Sequence, residues 1–277
     1  MHLAQQVGGG YQGVLNYFAK PILGDIVLNC KVMTIDWSES GDNMISLHCK
    51  SKSTSNDQII DKVIVARRVL LTVPLGVLKA KTIQFVPELP ESKRRIIDKM
   101  GYGLLNKCLF LWDENDVNQL PWPLSKEWIE RIVMSSESNQ KQGLWTEFYN
   151  PYSLNKRPML VGFSAGRVAE EIEKLSDEAV GEQALQALRE LFAPRNVPDP
   201  TQIVVTRWGG DEFSKGSYSY NAVGISQRYR DRLGDPVNRQ LYFAGEACHN
   251  RFPSTTQGAF LSGKTAAEQI LRDFGES

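Results

Sequence analysis

The residues best placed to do chemistry in this chain lie in "QLYFAGEACHNRFPSTTQGAFLSGKTAAEQIL", residues 240 to 271. An apolar strand ends at Gly245 and Glu246, a polar turn follows, and Thr255 and Thr256 open a helix whose spacing sets Gly258, Ser262 and Ala266 on one face, with Ala259 beside them. A carboxylate at the end of a buried strand is costly unless hydroxyl or N–H donors satisfy it, and a ribityl or ribose chain carries several hydroxyls. A helix N-terminus offers backbone N–H groups and partial positive charge to an anionic or electron-rich ligand. The same small-residue face equally suits a helix packed hard onto a sheet with no ligand, and the threonines equally suit a plain N-cap. A second candidate is Lys107, set among Leu104, Leu105, Cys108, Leu109, Phe110 and Leu111. An amine in that setting is expected to have a lowered pKa, because desolvation disfavours its charged form. A lysine in such a strand can also serve only to guard a sheet edge.

These residues need three zones of chain to position them. Residues 1 to about 73 hold a helix-like "YQGVLNYFAKPI" and a β-meander, "IVLNCKVMTIDWS", "NMISLHCK" and "KVIVARRVLLTVP", with turn residues at Ser40 to Asn43, a polar loop at "SKSTSND" and a nearly continuous apolar last strand of the kind found in buried sheets. Residues 74 to 208 alternate strands ("LLNKCLFLW", "GLWTEFY", "PMLVGFSAG", "QIVVTRW") with helices, the clearest of which starts at Ser176 with Asp177 and Glu178 in its first turn. That is an α+β pattern with a mostly antiparallel sheet. Residues 209 to 277 carry the strand, turn and helix of the opening segment.

Composition narrows the classes of function. Lys plus Arg equals Asp plus Glu at 32 each, so no long-range field recruits nucleic acid or an anionic membrane. The cysteines at 30, 49, 108 and 248 form no CxxC and no dense framework, which reads as reduced thiols in an intracellular, soluble protein. No run approaches the roughly 20 apolar residues of a membrane-spanning helix, and "MHLAQQVGGGYQG" has neither a basic nor an apolar leader region.

"LYFAGEACHNRFPSTTQGAFLSG" resembles the C-terminal FAD signature of the flavin-containing amine oxidases, and "TRWGGDEFSKGSYSY" resembles the stretch upstream of it. "VLLTVPLGVLK" and "FVPELPESKRRIIDKMGYGLLNKCLFLW" are similar to the family's central part, with polyamine oxidases and lysine-specific histone demethylases nearest in pattern. The resemblance implies an α/β plus α+β fold: a partial, glutathione-reductase-like FAD-binding domain from residues 1–73 and 209–277, with a substrate-binding domain at 74–208 built on a mixed, mostly antiparallel sheet. It implies that Lys107 is catalytic, holding a water near flavin N5. It implies that Trp208, Phe213 and Tyr218 are aromatic neighbours of the flavin, and that the backbone of Val32 reads the adenine. Thr72, Pro74, Gly245, Glu246, Thr255, Thr256 and Ala259 complete the implied FAD contacts. The implied reaction is oxidation of an amine to an imine, with O2 as acceptor and peroxide as product.

Departures from the family pattern carry their own expectations. Thr255 stands where monoamine oxidases place a tyrosine, and residues 209 to 244 contain no cysteine for a covalent tether. Non-covalent FAD and a cavity suited to a polyamine or a lysyl amine are therefore expected. Gln257 replaces the usual histidine of the polyamine oxidases and demethylases. A GxGxxG loop following a strand is absent, since "VGGGYQG" precedes a helix but follows no strand. Two readings follow. Either an N-terminal half from elsewhere, or self-association, completes an amine oxidase, or the chain is a silent, amine-oxidase-like structural subunit.

Overall fold

The computed structural model describes residues 11–38, 44–52, 58–132 and 144–275. The glycines at 8–10, the turn at Ser40 to Asn43 and most of the "SKSTSND" loop lie outside them. Helix α1 (Tyr11–Ala19) leads into a meander of β1 (Cys30–Asp36), β2 (Ile45–Lys52) and β3 (Ile59–Ala66), followed by β4 (Val69–Leu71), α2 (Leu75–Lys79), β5 (Gln84–Val86) and α3 (Glu91–Lys99). Next come β6 (Gly101–Gly103), β7 (Leu105–Leu111), β8 (Trp128–Glu130), β9 (Glu147–Tyr149), α4 (Tyr152–Asn155), β10 (Met159–Ala165), α5 (Gly166–Ile172), α6 (Asp177–Phe192) and β11 (Gln202–Val205). Strand β12 (Tyr218–Tyr220), α7 (Arg228–Gly234), β13 (Leu241–Phe243) and α8 (Thr256–Gly275) close the described chain. Among the described residues no helix is long and apolar enough to cross a membrane.

The first sheet has the order β3-β2-β1-β5, antiparallel except for the parallel β1–β5 pair. The expected continuous strand "KVIVARRVLLTVP" is here a correction. It breaks at Arg67 and Arg68, and its halves join different sheets. Ile59, Ile60, Val63 and Val65 of β3 are exposed rather than buried. Charge accounts for the break: two consecutive arginines cannot run through a buried strand, and the Arg68 guanidinium turns to the Phe274 ring, 5.1 Å away, while β3 is exposed as an edge strand of its sheet. Only the second half is covered, as β4 pairs in parallel with β13 in the register Leu241↔Val69 to Phe243↔Leu71. The Ala244 N–H donates to the Leu71 carbonyl at 2.9 Å, which sets Thr72 beside Gly245 at the carboxyl ends of both strands.

The second sheet, β11-β7-β10-β9-β8, is antiparallel throughout. Helix α6 covers one face. Its start follows from Ser176, whose Oγ accepts the Ala179 N–H at 3.2 Å, and its spacing buries Val180, Ala184, Leu185, Leu188 and Phe192 against Cys108 and Phe110 of β7. This core begins at Cys108, whereas sequence alone begins the middle zone at residue 74. Leu75, Leu89, Ile96, Ile97 and Met100 pack instead with Ile35, Leu71, Leu241 and Phe243 in a separate core.

Two lysines stitch that other core. Lys79 Nζ donates to the carbonyls of Ile97, Asp98 and Met100 at the end of α3. Lys93, 4% exposed, donates to those of Arg232, Leu233 and Asp235 at 2.9, 2.8 and 2.6 Å, at the end of α7. Each ammonium satisfies carbonyls that a helix end leaves without intrahelical partners.

Candidate active site

A cavity of about 440 Å³ opens where the β4 and β13 ends meet the start of β7. Thr72, Pro74, Lys107, Trp208, Tyr218, Gly245, Glu246 and Ala259 all line it, together with Tyr102 and Leu105, which the sequence reading did not select. Residues from four separated stretches of sequence thus converge on one space. Val32, Phe213, Thr255 and Thr256 do not line it. Val32 is half-buried against the core of Ile35, Leu71 and Leu241. Phe213 is exposed, with the Lys31 ammonium 5.9 Å from its ring centroid and Lys31 paired to Glu212. Thr255 is an N-cap: its Oγ1 accepts the Gly258 N–H at 3.0 Å and donates to the Phe252 carbonyl at 2.9 Å. Thr256 donates to the Tyr11 hydroxyl at 3.3 Å.

Strand alternation puts Lys107 on the cavity side of β7, while Asn106, Cys108 and Phe110 turn to the sheet core. It pairs with Phe163 across the strands, and its Nζ lies 5.9 Å from that ring centroid. Burial lowers its pKa from the ordinary lysine value, as expected.

The Glu246 carboxylate is satisfied, but by the protein itself. Oε1 accepts the Ser219 N–H at 2.9 Å, and Oε2 accepts the Ser219 hydroxyl at 2.6 Å and the Ser254 N–H at 2.7 Å. Arg230, 1% exposed, stands 4.0 Å from Oε2 and donates to the Ser219 hydroxyl. Burial, then the nearby Glu246 charge, pushes the Tyr102 phenol up to about 12.

The small-residue face of α8 is also accounted for. A Cβ on Gly258 would sit 1.8 Å from the Phe252 carbonyl oxygen. The Ser262 hydroxyl accepts the Gly245 N–H at 2.9 Å, and Gly245 itself has φ of 139°, open to glycine but strained for other residues. What comes close to that helix is the turn the chain has just made, while Ala259 alone of this group reaches the cavity.

Sequence reasoning missed Asn106 and Glu173. Asn106 is 1% exposed, donates to Glu173 at 2.7 Å and accepts the Trp208 N–H at 3.0 Å. An amide inside "LLNKCLFLW" was a visible signal; its partner, 67 residues away, was not.

Residues 3–271 match the family described as flavin containing amine oxidoreductase. The chain is 42% identical over 206 residues to lysine-specific histone demethylase 1 homolog 1 of Oryza sativa subsp. japonica, a match covering 74% of this chain and 23% of that protein. It is 35% identical over 268 residues to probable polyamine oxidase 4 of Arabidopsis thaliana, covering 95% of this chain and 47% of that protein. In fold it is similar to putrescine oxidase, in a structure of the wild type bound to putrescine, with a TM-score of 0.71 at 22% identity over 95% of this chain and 53% of that one. The chain therefore spans between about a quarter and a half of the length of these relatives. With the family matched over nearly all its residues, the chain belongs to the flavin containing amine oxidoreductases.

Proposed function

We propose that this chain carries the substrate side and the flavin-ring side of an FAD-dependent amine oxidase acting on a polyamine or a lysyl amine. The observation that carries the reading is the convergence of Lys107, Trp208, Tyr218 and the Gly245–Glu246 turn on one cavity. The residues present fit the group. A volume of about 440 Å³ is in the range of small-molecule sites, its lining is mostly apolar and aromatic, and a positive-φ glycine lets a flat ring approach the backbone. Thr72, Pro74, Gly245 and Ala259 would hold the ring, and Val32 would meet the adenine beyond the cavity. When bound, the flavin would supply the electron acceptor for oxidation of the amine to an imine, with O2 as the final acceptor and peroxide as the product.

The protein's own contribution is placement. Trp208 and Tyr218 flank the amine, and the apolar lining favours its uncharged form, which is the form that can be oxidised. Lys107 Nζ, kept by burial below the ordinary lysine pKa, holds a water and can pass a proton through it. FAD is held without a covalent bond, and the diphosphate is met by a Gly-rich loop from outside these 277 residues or from an associated chain. Tyr11, Leu15, Tyr17, Phe18, Ile22 and Leu23, all exposed, give such a partner or a second copy an apolar surface to cover.

One observation favours the other reading, a silent subunit. The Glu246 carboxylate and the α8 face are satisfied by the chain itself. Visible absorbance of the purified protein, alone and with any co-purifying partner, followed by amine-dependent peroxide release, decides between them. The oxidase reading expects flavin with the assembled protein, little with the isolated chain, release of that flavin on acid precipitation, and peroxide from a polyamine or a lysyl peptide. Flavin-loaded protein that no amine reduces would establish the silent subunit.

A further inference from the structure

Asn106 lies on the core face of β7, beside Cys108 and Phe110, which are wholly buried. An apolar side chain would fill that place without the desolvation penalty of an amide. Instead the amide makes a network. Its Nδ2 donates to Glu173 Oε1 at 2.7 Å, and its Oδ1 accepts the Trp208 N–H at 3.0 Å and the Thr206 hydroxyl at 3.2 Å. The Thr206 hydroxyl in turn accepts the Lys107 N–H at 2.8 Å, and Glu173 Oε1 also accepts the Gly209 N–H at 2.8 Å. The amide nitrogen and the amide oxygen thus each have a partner in this set, which fixes the orientation of the amide. The surroundings leave little slack, because a Cβ on Gly209 would stand 2.5 Å from Glu173 Oε2.

We infer that Asn106, oriented by Glu173, is a positioning residue that sets Trp208 and Lys107 relative to each other at the cavity. It touches neither cavity nor substrate and acts through two backbone N–H groups. Trp208 is 40% exposed, so its surroundings only partly hold it and its backbone hydrogen bond contributes to its placement, and the network reaches Lys107 through one intervening hydroxyl. A buried network in which both ends of the amide are engaged selects one arrangement where apolar packing would tolerate several. The inference rests on the reading of this cavity as an amine-oxidising site.

The test exchanges amide and acid. Asn106→Asp sets two carboxylates against each other, and adding Glu173→Gln restores a donor–acceptor pair with the roles reversed. In the full chain, N106D should speed hydrogen exchange at the Trp208 amide by tenfold or more, and N106D/E173Q should return it to within about threefold of wild type. In the flavin-loaded assembly, N106D should slow flavin reduction at saturating amine by tenfold or more at unchanged flavin content, and the double variant should recover most of that rate. Unchanged Trp208 exchange in N106D overturns the inference. So does a double variant that regains the wild-type melting temperature without regaining Trp208 protection or reduction rate. If N106D does not fold, a folded double variant with wild-type protection supports the inference, and failure of both to fold counts against it. The exchange measurement needs no flavin. A wild type that oxidises no amine would therefore defeat the proposed function while leaving the positioning result to stand or fall by itself.

Discussion

Lys93 and Lys107 are both lysines among apolar neighbours, and burial lowers the pKa of both, yet their surroundings differ in kind. Lys93 is 4% exposed, donates to three carbonyls, and sits 4.4 Å from the Phe243 ring centroid. All three of its N–H bonds are engaged, so it serves as a brace between α3 and α7. Lys107 is half-buried and faces the cavity, and among the described residues no acceptor is hydrogen-bonded to its Nζ. Desolvation alone therefore does not mark a reactive lysine. What separates the two is whether the ammonium has donors left to offer to the cavity.

The contrast is broken most directly by removing each amine. Lys107→Met should slow flavin reduction or reoxidation in the loaded assembly by roughly 100-fold or more, while flavin content and unfolding midpoint stay near wild type. Rapid-mixing kinetics with both half-reactions unchanged would reject Lys107 as catalytic; the sheet-edge guard that the sequence also allowed is already excluded, because β7 is paired on both sides, with β11 and β10. Lys93→Met should do the opposite. It strands three carbonyls at a helix end and should lower stability by about 2–4 kcal/mol in urea unfolding, with amine oxidation by the protein that remains folded little altered. A loss below about 0.5 kcal/mol would mean that the brace is ornamental.

A titration sharpens the same comparison with a smaller effect. Burial lowers the Lys93 pKa to about 8 from 10.5, so between those values the unfolded chain holds a proton that the folded chain has released. More protons on the unfolded state means that stability rises with pH. The desolvation cost is present in full below about pH 8 and is relieved as pH climbs toward 10.5. The stability of wild type minus that of K93M should accordingly increase by about 1 kcal/mol per pH unit across that window. A flat difference would show that the carbonyl cage holds the ammonium charged after all.

Much of this was legible in the chain. The strand, turn and small-residue helix of residues 240–271 fold as read, because Gly245, Gly258 and Ser262 each meet a local steric or hydrogen-bonding demand. The α6 start followed from Ser176 and its two acids, and the antiparallel second sheet from its alternating strands. What escaped reading depends on distant partners. "KVIVARRVLLTVP" is apolar throughout except at its charges, and only the fold decides that β4 is covered and β3 is not. The satisfaction of Glu246 by Ser219, 27 residues upstream, and of Asn106 by Glu173 has no periodic trace. The core of Ile35, Leu71 and Leu241 extends to Met100 because α2 and α3 pack back on it, a matter of layers rather than local pattern.

Strand β7 has one further implication, which concerns how such a protein can change. Its pleat sends Cys108 and Phe110 toward α6 and sends Leu105 and Lys107 toward the cavity. Changes in packing on one side therefore leave the cavity wall on the other largely untouched, and changes at the cavity wall need not be accompanied by a repacked interior. Asn106 is the place where that independence fails. It belongs to the packed side by position and reaches the cavity side through the Trp208 N–H, so Leu105 or Tyr218 can be varied one at a time, whereas a change at Asn106 also disturbs Glu173, Thr206 and Trp208.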